Sequence, residues 1–166
     1  MWRKLIRIVF AGIAGGFLGN GLMGAIFSFP FIKSVLYNPS LQSQLFIDIT
    51  PKRNIPISVI GLIMLSILNA YFFWQFQPSI PGKQWLQKGL YWGLTISGMY
   101  WLFQEWFIYH TLLGEPLVLN MLELIVLTLG SLLEGIIISY VILRFNHVNT
   151  DNPIVSKKQQ QNNGFC

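Results

Sequence analysis

Four long apolar stretches constrain the fold of this chain more than any other feature. They lie at about residues 5–29, 55–76, 86–113 and 116–144. A helix needs about 20 mostly apolar residues to cross the hydrocarbon core of a bilayer, and each stretch is long enough. Because lipid offers the backbone no hydrogen-bond partners, each stretch should be an α-helix. The sequence therefore predicts an all-α polytopic integral membrane protein with four transmembrane helices in one antiparallel bundle.

The composition supports lipid as the medium for most of the chain. Of the 166 residues, 53% are hydrophobic and only 10% are charged, whereas soluble domains carry about 25% charged residues. The net charge is +5, but the basic residues lie between the apolar stretches and at both ends. They form no basic helix face, so no nucleic-acid binding is expected. The lipid bilayer is the expected partner.

The polar segments outside these stretches have distinct compositions. A short amphipathic helix is predicted at residues 38–51, with Asn38 as its cap and Pro39 in its first turn. It would rest on the outer membrane surface or cover a cavity in the bundle. Residues 1–146 then form the transmembrane domain. Residues 147–166 are rich in Asn and Gln and are predicted to be a disordered cytoplasmic tail.

The distribution of Lys and Arg predicts the orientation. Eight of these residues fall on the side that carries both termini, and three fall in the first connection. Cytoplasmic segments carry the excess of positive charge. We therefore expect both termini in the cytoplasm of a bacterial-type inner (plasma) membrane.

The first apolar stretch carries a face of small residues. Gly12, Gly15, Gly16 and Gly19 fall on one side of a helix and include the small-xxx-small spacing that lets helices approach closely. The contact would be made within the bundle, across a homodimer, or with a partner membrane protein.

Three acidic residues lie inside the third and fourth stretches. Gly114 and Pro116 indicate a tight hairpin between these stretches. Glu105 and Glu123 lie equally far along the chain from Gly114, so they should be at the same depth. Glu134 lies about three helical turns beyond Glu123 and on the same face.

These acids are predicted to form a polar seam with buried amides. Its outer level holds Glu105, Glu123, Asn120 and Asn20, and its inner level holds Glu134 and Asn69, with Ser66 or Ser131 beside them. An α-helical period also puts Leu94, Gly98, Trp101 and Tyr109 on the face of Glu105. A charge within the bilayer costs at least about 2.5 kcal/mol. We therefore expect Glu105 and Glu123 to share a proton or one of them to be neutral.

Two functions fit such a seam. The preferred interpretation is a small non-enzymatic membrane protein of the interaction or accessory type, whose buried carboxylates specify helix packing or a partner. The alternative is a small proton-coupled transporter or permeation pathway that uses Glu105, Glu123 and Glu134. An enzyme acting on lipid or quinone is a third hypothesis. No nucleophile motif or His/Cys ligand spacing appears, so no catalytic residue, metal or cofactor is expected.

Overall fold

The computed structural model describes residues 2–43 and 54–144, and every regular element in these two ranges is a helix. The predicted all-helical fold is therefore confirmed for this part of the chain. The α-helices are α1 (Trp2–Phe27), α2 (Pro30–Leu36), α3 (Ile55–Phe76), α4 (Trp85–Ile96) and α5 (Leu117–Ser139).

Two of these helices continue as π-helix. After α4 the chain forms π1 (Ser97–Trp101) and π2 (Gln104–Leu112), and after α5 it forms π3 (Tyr140–Arg144). A π-helix pairs each carbonyl with the amide five residues on, one more than in an α-helix. Side chains beyond π1 are therefore rotated about the helix axis relative to an unbroken α-helix.

Within the described ranges, three helices are long and apolar enough to cross a membrane. They cover Trp2–Phe27, Pro56–Phe76 and Leu117–Arg144, with mean hydropathies of 1.6, 2.0 and 2.1. Only 17% of the most apolar part of α3 is buried, against 56% for the helix that includes α5. α3 therefore turns most of its apolar surface outward, whereas α5 lies at the centre of the fold.

The first connection contains a helix that the sequence interpretation did not predict. α2 (Pro30–Leu36) has Pro30 in its first turn. The predicted amphipathic helix at 38–51 is described only up to residue 43, and residues 38–43 form turns. Asn38 Oδ1 accepts hydrogen bonds from the Ser40 amide at 3.1 Å and the Ser40 hydroxyl at 2.7 Å. The remainder of that segment and the tail at 147–166 lie outside the described residues.

Helix contacts run in the order α3, α1, α5, α4. α1 packs between α3 and α5, and α5 packs between α1 and α4. A Cβ added at Gly89 would lie 2.7 Å from the Ile136 Cα, and one at Gly93 would lie 2.6 Å from the Leu132 Cα. Since later residues of α4 meet earlier residues of α5, these two helices are antiparallel.

The turn between π2 and α5 is closed by glycine and backbone hydrogen bonding. Gly114 has a φ of +69°, a left-handed conformation that glycine adopts without steric penalty. The Glu115 amide donates to the Tyr109 carbonyl at 3.0 Å, and Pro116 precedes the first residue of α5. This turn holds π2 against the start of α5.

The buried apolar side chains form two clusters. One surrounds Phe73 and lies where α1 begins and α5 ends; the other surrounds Trp101, nearer the Gly114 turn. The first contains Ile8, Ala11, Ala70, Phe73, Ile138, Val141 and Ile142, and the second contains Met23, Trp101, Val126 and Leu127. Glu134 lies between the two clusters along α5.

Candidate functional site

The inner level of the predicted seam is a hydrogen-bonded carboxylate. Glu134 on α5 is 5% exposed. Its Oε1 accepts a hydrogen bond from the Asn69 Nδ2 on α3 at 3.1 Å, and the Ser66 hydroxyl is a second hydrogen-bonding partner. The structure thus brings together Glu134, Asn69 and Ser66 from two helices separated by α1.

Glycines on α1 leave the space through which Glu134 reaches α3. A Cβ added at Gly19 would lie 3.0 Å from the Glu134 Cβ, and one at Gly15 would lie 2.9 Å from the Ile138 Cγ1. A Cβ at Gly16 would overlap the Ser66 side chain. The glycine face therefore allows close backbone approach and also makes room for polar side chains to meet.

Asn20 lies apart from the acids with which it was grouped. Its Nδ2 donates to the Gly16 carbonyl at 2.7 Å, one turn back in α1. The preceding residue, Gly19, packs against Gly130 and Glu134, so Asn20 lies near the inner level rather than beside Glu105. Its amide nitrogen is thus bonded within its own helix.

The outer level joins π2 to the first turns of α5. Asn120 on α5 is fully buried, and its Nδ2 donates to the backbone carbonyl of Glu105 at 2.6 Å. The Glu105 side chain is 1% exposed and interacts with the carboxyl group of half-buried Glu123. Glu105, Asn120 and Glu123 are therefore neighbours.

A third carboxyl group, Glu115, also belongs to this outer level. It was not selected from the sequence because it lies in the turn, outside the apolar stretches. It is nevertheless only 3% exposed and acts electrostatically on Glu105. Burial raises the pKa of the Glu115 carboxyl above its ordinary value. The His110 Nδ1 donates to the Glu115 carbonyl at 2.7 Å and helps to hold the turn.

The outer cluster contains buried acceptor atoms without donors. The Oε1 of Glu115 and the Oδ1 of Asn120 have no hydrogen-bond partner within residues 2–43 and 54–144, and the Glu105 carboxyl group is paired there only with another carboxyl group, that of Glu123. A buried polar atom without a partner costs about 1–3 kcal/mol. The cluster is therefore suited to a proton, a cation or a hydrogen-bond donor from another molecule.

Between the two levels, α4 and π1 are tied to α5 by side-chain hydrogen bonds. The Trp101 Nε1 donates to the Ser131 Oγ at 2.7 Å, and the hydroxyls of Ser97 and Thr128 are 2.6 Å apart. The sequence interpretation did not predict this pairing. The sequence feature that could have indicated it is the presence of small hydroxyl residues, Ser97 and Thr128, within apolar helices.

Metal binding has no geometric support in the described part of the chain. Within it, no group of three or more His, Cys, Asp or Glu residues is positioned to hold a metal ion. No known protein family, curated protein or solved structure matches this chain. The three sufficiently long apolar helices of the described residues indicate association with a membrane.

Proposed function

We propose that this chain is a small non-enzymatic integral membrane protein of the interaction or accessory type, in which buried carboxyl groups specify helix packing or a partner. The observation that carries the proposal is the Glu134 carboxyl group. It is buried and bonded to Asn69 and Ser66, as expected of an acid that ties helices together. Interhelical hydrogen bonds of this kind contribute about 0.6–2 kcal/mol in membranes.

The proposal includes a fourth membrane span formed by α4, π1 and π2. This segment is helical from Trp85 to Leu112 and lies antiparallel along α5 from Gly89 to Glu105. A continuous helix of this length, at about 1.5 Å per residue, matches the thickness of a bilayer. The four spans would then form one antiparallel bundle.

Both termini are proposed to face the cytoplasm of a bacterial-type inner (plasma) membrane, because the basic residues are concentrated at that end. The chain has one cysteine, Cys166, which allows a direct test. In intact cells, a membrane-impermeant maleimide should leave Cys166 unlabelled until the membrane is permeabilised. A Lys33→Cys variant in a Cys166→Ser background should be labelled without permeabilisation. The opposite labelling pattern would show that the termini lie outside and the first connection lies in the cytoplasm.

The outer cluster would provide the partner contact. Its acceptors at Glu115 and Asn120 lack donors in the described chain, so a partner helix, or a second copy, that supplies a donor would be stabilised there. Crosslinking through a photoreactive residue at exposed Phe107 on π2 should capture that partner in native membranes. The same residue at exposed Met64 on α3 is the matched control. Equal crosslinking from both positions would contradict this placement.

The neighbouring carboxyl groups of Glu105 and Glu123 favour a second function, a proton-coupled transporter or permeation pathway through Glu105, Glu123 and Glu134. A pathway requires all three positions to be reachable from water. Cysteines placed singly at these positions in a Cys166→Ser background separate the two functions. For an accessory protein, position 134 should not react with water-soluble thiol reagents. Reaction at all three positions would favour the pathway.

A proton held between Glu105 and Glu123 is a further requirement of the proton-coupled alternative. Two neighbouring carboxyl groups in a buried site are better accommodated with a shared proton than as two charges. An infrared band of a protonated carboxyl at neutral pH should then weaken in Glu105→Gln or Glu123→Gln. If neither variant changes the band, the shared proton is excluded.

A further inference from the structure

The outer cluster, formed by Glu105, Glu115, Asn120 and Glu123, contains more hydrogen-bond acceptors than donors. Asn120 is fully buried and Glu115 is 3% exposed, and the Asn120 Oδ1 and the Glu115 Oε1 have no partner among the described residues. The Asn120 Nδ2 donates to the Glu105 carbonyl. This bond fixes the orientation of the amide, so the Oδ1 can act only as an acceptor.

The two unpartnered oxygens lie at the same end of α5. Pro116 is the cap of this helix, and the Asn120 amide donates to the Pro116 carbonyl at 3.3 Å. The residue before a cap commonly packs against the fourth residue of the helix, and these residues are Glu115 and Asn120. Both acceptors are therefore close to the turn and to Glu105.

The chain's own apolar stretches supply no Lys or Arg at the depth of the outer cluster. Within these stretches such residues occur only at Arg7, Lys88 and Arg144. Each lies near the end of its stretch that is remote from the Gly114 turn. His110 already uses its Nδ1 at the Glu115 carbonyl. A cation at this depth is therefore expected from another chain.

The outer cluster reaches the surface of the fold. Glu123 is half-buried, so its carboxyl group lies between the buried acceptors and the outside. The side chains of Leu112 and Val118, on either side of the turn, are apolar and exposed. A helix lying against these side chains would exclude water from a polar group directed at Glu123.

We propose that the outer cluster binds the guanidinium group of an arginine on a partner transmembrane helix. The inference rests on the proposed function and specifies the chemistry of the partner. No three acidic residues of the described chain are close enough together to hold a metal ion. A guanidinium is larger, and its five N–H donors in a planar fork can bridge acceptors that are farther apart. Hydrogen bonds between a cation and a carboxylate are also among the strongest in proteins.

The test uses the full-length chain in phosphatidylcholine liposomes with a synthetic polyleucine transmembrane helix that carries one arginine near its outer end. Energy transfer from a dye on Cys166 measures their association. The arginine peptide should associate about tenfold more tightly than the same peptide with glutamine, the difference expected for a charge-assisted hydrogen bond. Because only the peptide changes, this comparison does not depend on how a variant of the chain folds.

Variants of the chain locate the contact. Glu115→Gln should weaken binding of the arginine peptide about tenfold, and Glu115→Asp should retain most of it because the charge remains. Lys33→Gln also changes the charge by one unit, at an exposed position on α2. It is the matched control and should bind the peptide as the unmodified chain does. Equal binding by Glu115→Gln and the unmodified chain would overturn the assigned site.

Three further outcomes separate the proposals. Association should persist in concentrated sodium chloride, because salt screens exposed charges far more than buried pairs; its loss would overturn the buried site. Displacement of the peptide by equimolar arginine amide would contradict a helix-borne cation. Equal association of the arginine and glutamine peptides would overturn the guanidinium partner, whereas the proposed partner surface itself is tested by crosslinking from Phe107.

Discussion

The Asn69 Nδ2 donates a 3.1 Å hydrogen bond to the Glu134 Oε1, and this bond joins two helices that otherwise make few contacts. α1 lies between these helices. Its glycines at positions 15, 16 and 19 leave the gap in which the two side chains meet. Glu134 on α5 therefore holds α3 in place although α1 lies between them.

This link should be measurable as an energetic coupling. Asn69→Ala and Glu134→Ala should each lower the free energy of unfolding in bicelles, and the double variant should lose less than their sum. The coupling should be about 0.6–1.7 kcal/mol, the range for interhelical hydrogen bonds in membranes. Glu134→Gln keeps an oxygen acceptor and should be the mildest change. Strict additivity would show that the bond contributes nothing.

The close approach of α1 to α3 predicts unequal effects of alanine along α1. A Cβ at Gly12 would lie 2.8 Å from the backbone nitrogen of Ile67 and from the carbonyl oxygen of Ser66. Gly12→Ala should therefore destabilise the fold by about 1–3 kcal/mol.

Gly21→Ala is the matched control on α1, because nothing lies within 4 Å of an added Cβ there. It should leave stability unchanged or raise it by up to about 1 kcal/mol, the helix-propensity difference between the two residues. Thermal unfolding in one detergent compares the two variants. Similar stability for both would contradict the assigned α1–α3 contact.

A second glycine pair tests the register of α4 against α5. A Cβ at Gly93 would lie 2.6 Å from the Ser131 carbonyl oxygen, whereas one at Gly98 would meet nothing within 4 Å. Gly93→Ala should lower thermal stability through a clash costing about 1–3 kcal/mol, and Gly98→Ala should not. If Gly98→Ala were instead the more destabilising of the two variants, the result would support the unbroken α-helix expected from the sequence, which places Gly98 on the face of Glu105.

Glu115 should make stability depend on pH. Burial raises its pKa in the folded chain above the ordinary value of 4.5. The fold therefore favours the protonated form. This stabilisation is complete below pH 4.5 and is lost as the pH rises through the raised pKa.

The free energy of unfolding should accordingly fall between pH 4.5 and the raised pKa, and Glu115→Gln should remove that part of the fall. Denaturant unfolding at a series of pH values measures the free energy of unfolding of both proteins. The difference between them isolates Glu115, because the contributions of the other acidic residues are the same in both. Parallel curves for the two proteins would show that Glu115 does not contribute.

The helical character of the chain follows directly from its local sequence. α3 covers Ile55–Phe76, the stretch expected from its apolar residues, because a long apolar segment has few ways to satisfy its backbone other than a helix. Gly114 indicated the turn before α5 because the left-handed residue that ends a helix is usually glycine. These features depend on neighbouring residues and need no knowledge of distant contacts.

The composition of the seam depended on contacts that the local pattern does not contain. The α-helical period assigned Leu94 and Gly98 to the face of Glu105, yet both are exposed. The π-helical pairing that begins at Ser97 rotates the residues beyond it about the helix axis. No residue in that stretch indicates a π-helix rather than an α-helix. Glu115 was missed for a related reason, because its burial comes from how the turn lies against neighbouring side chains.

Length, polarity and glycine content are properties of single segments, so they could be derived by inspecting residues one stretch at a time. The choice of which segments touch is different in kind. Glu134 meets Asn69 because α1 is thin enough at Gly16 and Gly19 to let α5 reach α3. Such an arrangement is determined by packing among three helices at once, since many registers would bury similar apolar area and only the side-chain contacts distinguish them.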